Sequence, residues 1–134
     1  EEGRIFVIMS DGEMQIGTTW EAALIANHHK LDNIVVIVDC NKFQAMGKTE
    51  DILNIEPLAD KWKAFGWEVN IIDGHNFSEI EKVITANHKK PMVIIANTKK
   101  GMGVSFMEEN NMYHYKQISE DEHQRALEEL KKTK

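Results

Sequence analysis

Three apolar runs dominated by β-branched residues, at positions 5–9, 34–38 and 92–96, constrain the fold of this chain more than any other feature. Each is bounded by polar or turn-forming residues, and none alternates apolar with polar side chains. Strands of that kind are covered on both faces, as in a parallel sheet flanked by helices. A fourth, shorter run at 68–72 ends at Asp73-Gly74, a turn pair, and is expected to add a strand. The first run lies within a few residues of the N-terminus, an odd place for a buried strand, and we expect a further segment ahead of it.

Helical patterns separate these runs. Residues 18–29 place Trp20, Ala23, Leu24 and Asn27 on one face, with Thr18 or Thr19 available as the cap. Pro57 suits a first helical turn, Leu58, Trp62 and Phe65 follow at helical spacing, and Gly66 can stop the helix. Residues 78–86 read as a third helix. Residues 119–134 read as a fourth, opening on the capping box Ser119-Glu120-Asp121-Glu122 and closing on basic residues that complement the helix dipole. Strands alternating with helices of this length predict an α/β fold, a parallel β-sheet flanked by helices and joined by right-handed crossovers, as one domain over 1–134. Residues 100–118 show no periodicity, and a loop of that length points to function.

Charge narrows the partners. With 22 acidic against 16 basic residues, and no Arg or Lys interleaved with aromatics, nucleic acid is not expected as a partner. No apolar stretch approaches the roughly 18 to 20 residues of a membrane span, and no secretory leader opens the chain. A cytoplasmic location is the expectation. Cys40 has no second cysteine to pair with and reads as a packing residue. Met9, Met14, Met46 and Met92 read as packing or loop residues. His28 and His29 are adjacent and should not share a helix face, which argues against zinc.

The chemistry lies at the strand ends. Residues 10–17, from Ser10 through Asp11, Gly12 and Glu13 to Gly17, leave the first strand and enter a helix. In open parallel sheets ligands bind outside the carboxyl ends of the strands. Glycines there let backbone amides approach a phosphate, and the following helix turns its positive end toward an anion, so the segment can hold a diphosphate. Asp11 occupies this position, and Asn41 occupies the equivalent one after the second strand, so both oxygens are expected in one crevice. Mg²⁺ is commonly held by one or two such side chains together with phosphate oxygens and water. Taken singly, an Asp-Gly after a strand is more often a turn and an Asn more often a cap.

The segments Ser10-Asp11-Gly12-Glu13, Trp20-Glu21-Ala22-Ala23, His28-His29-Lys30-Leu31-Asp32-Asn33 and Val38-Asp39-Cys40-Asn41-Lys42-Phe43-Gln44 resemble the thiamine-diphosphate domain of the transketolase family. The resemblance extends through Ile55-Glu56-Pro57-Leu58-Ala59-Asp60-Lys61-Trp62, Phe65-Gly66-Trp67, Ile72-Asp73-Gly74-His75 and the stretch from Lys99 to Glu108, and so over nearly the whole chain. It implies the C-terminal portion of that family's N-terminal domain. It further implies thiamine diphosphate and Mg²⁺ as cofactors, with Asp11 and Asn41 binding the metal through side chains and Phe43 through its main-chain carbonyl. Ser10 and Gly12 would lie beside the diphosphate, and His114 would contact the diphosphate and the reacting substrate. The implied reaction moves a two-carbon ketol unit between sugar phosphates.

The family's activating glutamate belongs to a separate pyrimidine-binding domain, and its upstream part also cradles the cofactor. The resemblance therefore implies a homo- or hetero-oligomer, completed by a pyrimidine-domain subunit, by another chain supplying the upstream half, or by both, and a chain that is inactive alone. Four positions depart from the family pattern. Ser10 replaces a Gly, Ile16 replaces a Glu that links active sites across the interface, Met102 replaces a Lys, and Tyr115 replaces a Gly after His114. Two alternatives stay open: another thiamine-diphosphate enzyme, of the deoxyxylulose-phosphate synthase or 2-oxoacid dehydrogenase type, and a degenerate binding or assembly module.

Overall fold

The computed structural model describes residues 3–132. Its centre is a four-stranded, all-parallel sheet in the order β1-β2-β6-β5, formed by β1 (Ile5–Ser10), β2 (Ile34–Cys40), β6 (Met92–Asn97) and β5 (Glu68–Asp73). A two-stranded antiparallel hairpin, β3 (Phe43–Gln44) and β4 (Gly47–Lys48), stands apart from it. The helices are α1 (Gly17–His28), α2 (Thr49–Ile52), α3 (Leu58–Ala64), α4 (Phe77–Thr85) and α5 (Glu120–Lys132).

The period of two along each strand assigns the layers. Val36 and Val38 of β2, with Val93 and Ile95 of β6, face α1 and α3 and pack with Ala23, Ala26, Leu58 and Trp62. Val35 of β2, with Met92 and Ile94 of β6, faces the other way and packs with Val83 of α4. β2 and β6 are therefore apolar on both faces because both faces are covered.

The first strand behaves differently from the expectation of a buried strand. β1 forms an edge, and Phe6 and Ile8 stay 45% and 76% exposed because no element among the described residues lies beyond it. Such an edge offers unpaired backbone groups together with apolar side chains.

Aromatic side chains set the depth at which α1 and α3 dock. Trp62 is buried between Trp20 and Trp67, with ring centroids 5.3 and 4.7 Å away. Trp67 donates its Nε1–H to the Ala23 carbonyl at 2.9 Å, and Trp20 donates to the Met14 carbonyl at 3.0 Å. These bonds satisfy indole groups that burial would otherwise penalise. The face of α1 that meets the sheet is Thr19, Ala23 and Ala26. Leu24, expected on that face, is exposed, because small residues let the helix sit close and turn its neighbours outward.

The caps differ in detail from expectation. Ile16, not Thr18 or Thr19, precedes α1, and the Thr19 hydroxyl instead donates to the Glu13 carbonyl at 2.9 Å. Pro57 precedes α3 in extended geometry rather than forming its first turn. Asn76 caps α4 by accepting from the Ser78 and Glu79 amides. The capping box at Ser119 is present: Glu122 N–H donates to Ser119 Oγ at 3.2 Å, and Ser119 N–H donates to Glu122 Oε2 at 2.8 Å. The last two residues of the expected fourth helix lie outside the described residues. Among the described residues no helix is long and apolar enough to cross a membrane.

Candidate functional site

All four sheet strands run parallel, so their carboxyl ends share one side of the molecule. β1 ends at Ser10 directly opposite Asp39 of β2, which places Asp11 and Asn41 just past neighbouring strand ends. The segment after β1 does not run straight into α1. It forms a 3₁₀ turn over Asp11–Gln15, locked by a capping box in which Ser10 Oγ accepts from Glu13 N–H at 3.3 Å and Glu13 Oε2 accepts from Ser10 N–H at 2.7 Å. The Ser-x-x-Glu spacing is the signature of such a box, a signal that sequence reasoning missed here.

That turn carries Asp11 inward, where it is only 1% exposed. Its Oδ2 accepts from the Lys42 amide at 2.6 Å, a short bond typical of a charged acceptor. Its Oδ1 is buried and has no hydrogen-bond partner among the described residues. Burial holds the Asp11 carboxyl above the usual carboxylate range, against the lowering influence of the Lys42 and Gly12 amides and the nearby Thr49 hydroxyl. A buried carboxylate with a free oxygen is a group that a cation would satisfy.

Lys42, whose amide grips Asp11, adopts a left-handed conformation with φ of 66°. A non-glycine residue there is strained unless its surroundings hold it. The hold comes from both sides: the amide bond to Asp11, and an Asx turn in which Asn41 Oδ1 accepts from Phe43 N–H at 2.9 Å. The reversal sends Phe43 into the short hairpin.

Gly12 lies beneath that hairpin. A Cβ built on it would stand 3.2 Å from Gln44 Oε1 and 3.6 Å from Gln44 Cβ, so the missing side chain lets β3 approach the turn. Ser10, Asp11, Gly12, Asn41 and Phe43 are thus drawn together through the Lys42 main chain. Asp11 and Asn41 do not line a single cavity, however. Asp11 lines a cleft of about 140 Å³ with Cys40, Thr49 and Asn54, whereas Asn41 and Phe43 line a polar crevice of about 700 Å³ with His75, Thr98 and Lys99; Lys42 and Glu50 border both.

His114 lines neither of these two cavities. It ends a 3₁₀ turn, Asn111–His114, and is exposed with no side-chain hydrogen bond among the described residues. Asn111 Nδ2 donates to the Ala45 carbonyl at 3.1 Å, which ties this turn to the hairpin that follows Asn41. The loop before it is compact. Lys99 pairs with Glu108, Glu108 Oε1 accepts from Gly103 N–H at 3.1 Å, and Glu109 N–H closes onto the Lys100 carbonyl at 3.0 Å. The Lys99 ammonium and the Gly103 amide hold the Glu108 carboxyl below its ordinary range. At the crevice floor His75 Nε2 accepts from Lys99 N–H at 2.8 Å, an anchor that sequence reasoning missed.

Ile16, Met102 and Tyr115 are 49%, 52% and 73% exposed. Cys40 is buried among the core residues, as a packing residue should be, and burial pushes its thiol up to about 11. Met14 and Met92 are core residues and Met46 is exposed in the hairpin turn. α1 ends at His28, so His29 falls outside the helix and the two rings meet edge-on at 5.0 Å.

Comparison with known proteins gives these positions a context. The family described as "Transketolase, thiamine diphosphate binding domain" matches residues 2–132. A subunit of the apulose-4-phosphate transketolase of Actinobacillus succinogenes is 45% identical over 130 residues, which cover 96% of this chain and 47% of that protein. The 6-deoxy-6-sulfo-D-fructose transketolase subunit SqwG of a Clostridium species is 42% identical over 131 residues, covering 96% and 48%. The chain spans about half the length of these relatives. Among solved structures, transketolase from Campylobacter jejuni superposes with a TM-score of 0.91 at 30% identity, covering 97% of this chain and 21% of that one.

Proposed function

The chain belongs to the transketolase family as a thiamine-diphosphate-binding domain, and from that premise we propose that it holds Mg²⁺ and the cofactor's diphosphate for two-carbon ketol transfer. The observation that carries the metal assignment is the buried Asp11 carboxylate, whose Oδ1 has no hydrogen-bond partner among the described residues while its Oδ2 grips the main chain beside Asn41. The three groups assigned as ligands, the Asp11 carboxylate, the Asn41 carboxamide and the Phe43 carbonyl, all offer oxygen, the donor Mg²⁺ prefers. Asn41 Oδ1 keeps a lone pair beyond the one engaged by Phe43 N–H, and Phe43 would contribute its carbonyl. Ser10 and Gly12 border the diphosphate in this reading.

Thiamine diphosphate supplies, when bound, the carbon nucleophile and electron sink that side chains lack. The residues of this chain position and neutralise. Asp11 brings negative charge to the metal, the capping box fixes the turn that carries it, and the strained Lys42 directs the hairpin toward the site. His114 is assigned the proton transfers at substrate oxygen, a role suited to an imidazole near neutral pH.

The relatives' names support the choice of substrate and the need for a partner. Those names specify sugars bearing phosphate or sulfo groups, and both proteins are named as subunits. We take the substrate to be a sugar phosphate. The partner is a pyrimidine-domain subunit that supplies the activating glutamate, with the upstream half of the cofactor site coming from further polypeptide that covers the apolar β1 edge. The chain alone is inactive in this reading, and its setting is the cytoplasm.

Calorimetric titration with thiamine diphosphate and Mg²⁺, with and without the candidate partner, tests the proposal. Binding that disappears in Asp11→Ala and Asn41→Ala supports it, as does ketol transfer between sugar phosphates by the assembled subunits. No binding even with the partner refutes it, and turnover of 2-oxoacids instead of ketoses would assign different chemistry.

A further inference from the structure

Two buried polar atoms make no hydrogen bond among the described residues and share the cleft beside the candidate metal site, where the Thr49 hydroxyl is near enough to lower the pKa of the Asp11 carboxyl: Asp11 Oδ1 and the hydroxyl of Thr49. Thr49 is 4% exposed, and both residues line the cleft of about 140 Å³. The hairpin delivers Thr49 to this position. Its N–H donates to the Lys42 carbonyl at 3.0 Å and closes the base of the β3–β4 loop, while the Lys42 N–H donates to Asp11 Oδ2. Its own carbonyl is held by Leu53 N–H at 3.1 Å and Gln15 Nε2 at 3.4 Å. The residue before α2 is Lys48, with no side-chain cap, so the helix itself does not use the Thr49 hydroxyl.

A buried hydroxyl that makes no bond destabilises the folded state. A small shift of the Thr49 side chain that brings its hydroxyl within bonding distance of Oδ1 removes that cost for both groups. We propose that Thr49 is a positioning residue for Asp11, its hydroxyl donating to Oδ1 and fixing the rotation of the carboxylate relative to the Phe43 hairpin. The inference rests on the metal-binding role proposed for Asp11. A carboxylate oxygen accepts two bonds, so Oδ1 still has a lone pair for a cation. Residues standing behind a ligand in this way typically alter metal affinity by about 10- to 100-fold when changed.

The test compares wild type, Thr49→Val and Thr49→Ser in the full chain assembled with the candidate partner subunit, by thermal unfolding first in EDTA and then across a Mg²⁺ series at fixed thiamine diphosphate. Val keeps the shape and removes the donor. An idle hydroxyl predicts that Thr49→Val unfolds at the same or a higher temperature in EDTA; a donating one predicts a lower temperature, which Ser restores. The Mg²⁺ concentration giving half the thermal shift should rise at least about tenfold in Thr49→Val and return toward wild type in Thr49→Ser. An unchanged or raised unfolding temperature in EDTA overturns the inference, and so does an unchanged Mg²⁺ midpoint. A wild type that Mg²⁺ fails to stabilise refutes the metal reading itself and the inference with it, a result distinct from any difference between variants.

Discussion

Asp11→Asn separates the cost of a buried charge from its use. The side chain is 1% exposed and accepts from the Lys42 amide, a bond that an asparagine oxygen can still accept. Burial raises the Asp11 carboxyl above its ordinary 3.8, so the native state binds that proton more tightly than the unfolded chain. By linkage its contribution to stability is greatest below the ordinary value and is lost as pH rises through the raised one. At neutral pH without metal, Asp11→Asn should therefore unfold at the same temperature as wild type or higher. With Mg²⁺ and thiamine diphosphate at about a hundred times the dissociation constant, wild type gains about 2.7 kcal/mol. For a chain of 134 residues that free energy corresponds to a rise of about 9 °C. In Asp11→Asn the rise should shrink to less than about 2 °C, since the one ionised side chain among the proposed ligands is gone. Differential scanning fluorimetry reads both arms. A full ligand-induced rise in the variant, or a metal-free loss of several degrees, would refute the reasoning.

Other perturbations probe separate parts of the structure. Trp62→Ala, emptying the space between Trp20 and Trp67, should cost about 3 to 5 kcal/mol in urea unfolding, and a loss below about 1 kcal/mol would contradict the packing described. Gly101→Ala forces a Cβ to 2.5 Å from the Met107 carbonyl oxygen at a φ of 73°, so it should destabilise by about 1 to 3 kcal/mol and raise amide exchange in the loop. Glu122, held down to about 2 chiefly by the Lys116 ammonium and then by the Ser119 amide, contributes stability above its ordinary 4.5 that is lost as pH falls toward about 2. Far-UV circular dichroism of Glu122→Gln should show α5 weakened at neutral pH and insensitive to that acid window. His114→Ala should reduce ketol transfer about 10²- to 10⁴-fold and leave the folded stability unchanged, as its exposed side chain bonds to nothing among the described residues.

The sheet was legible because burial on both faces leaves an unmistakable mark. β2 and β6 read as unbroken apolar runs, and their ends moved by one or two residues at most between sequence and structure. The same logic leaves β1 to be accounted for. Its composition is that of a covered strand, yet in this structure it lies at the edge with Ile8 76% exposed. Two-residue strands such as β3 and β4 carry no periodicity, so the hairpin went unseen. With it went Thr49, which reads as an ordinary polar residue until the fold returns it to Asp11. Asp11 and Asn41 were findable because each follows a recognisable strand. Their meeting through the strained Lys42, and not across one open crevice, depends on a left-handed turn that no residue preference announces. His114 was singled out through resemblance alone.

The most direct test of the metal site is a crystal structure of the chain with its partner subunit, thiamine diphosphate and Mn²⁺ in place of Mg²⁺, with the ion located by its anomalous signal. The account predicts one peak about 2.1 Å from Asp11, Asn41 and the Phe43 carbonyl, with the diphosphate completing the octahedron. A peak ligated by neither Asp11 nor Asn41, or a diphosphate bound with the Asp11 carboxylate outside the ion's coordination sphere, would contradict it.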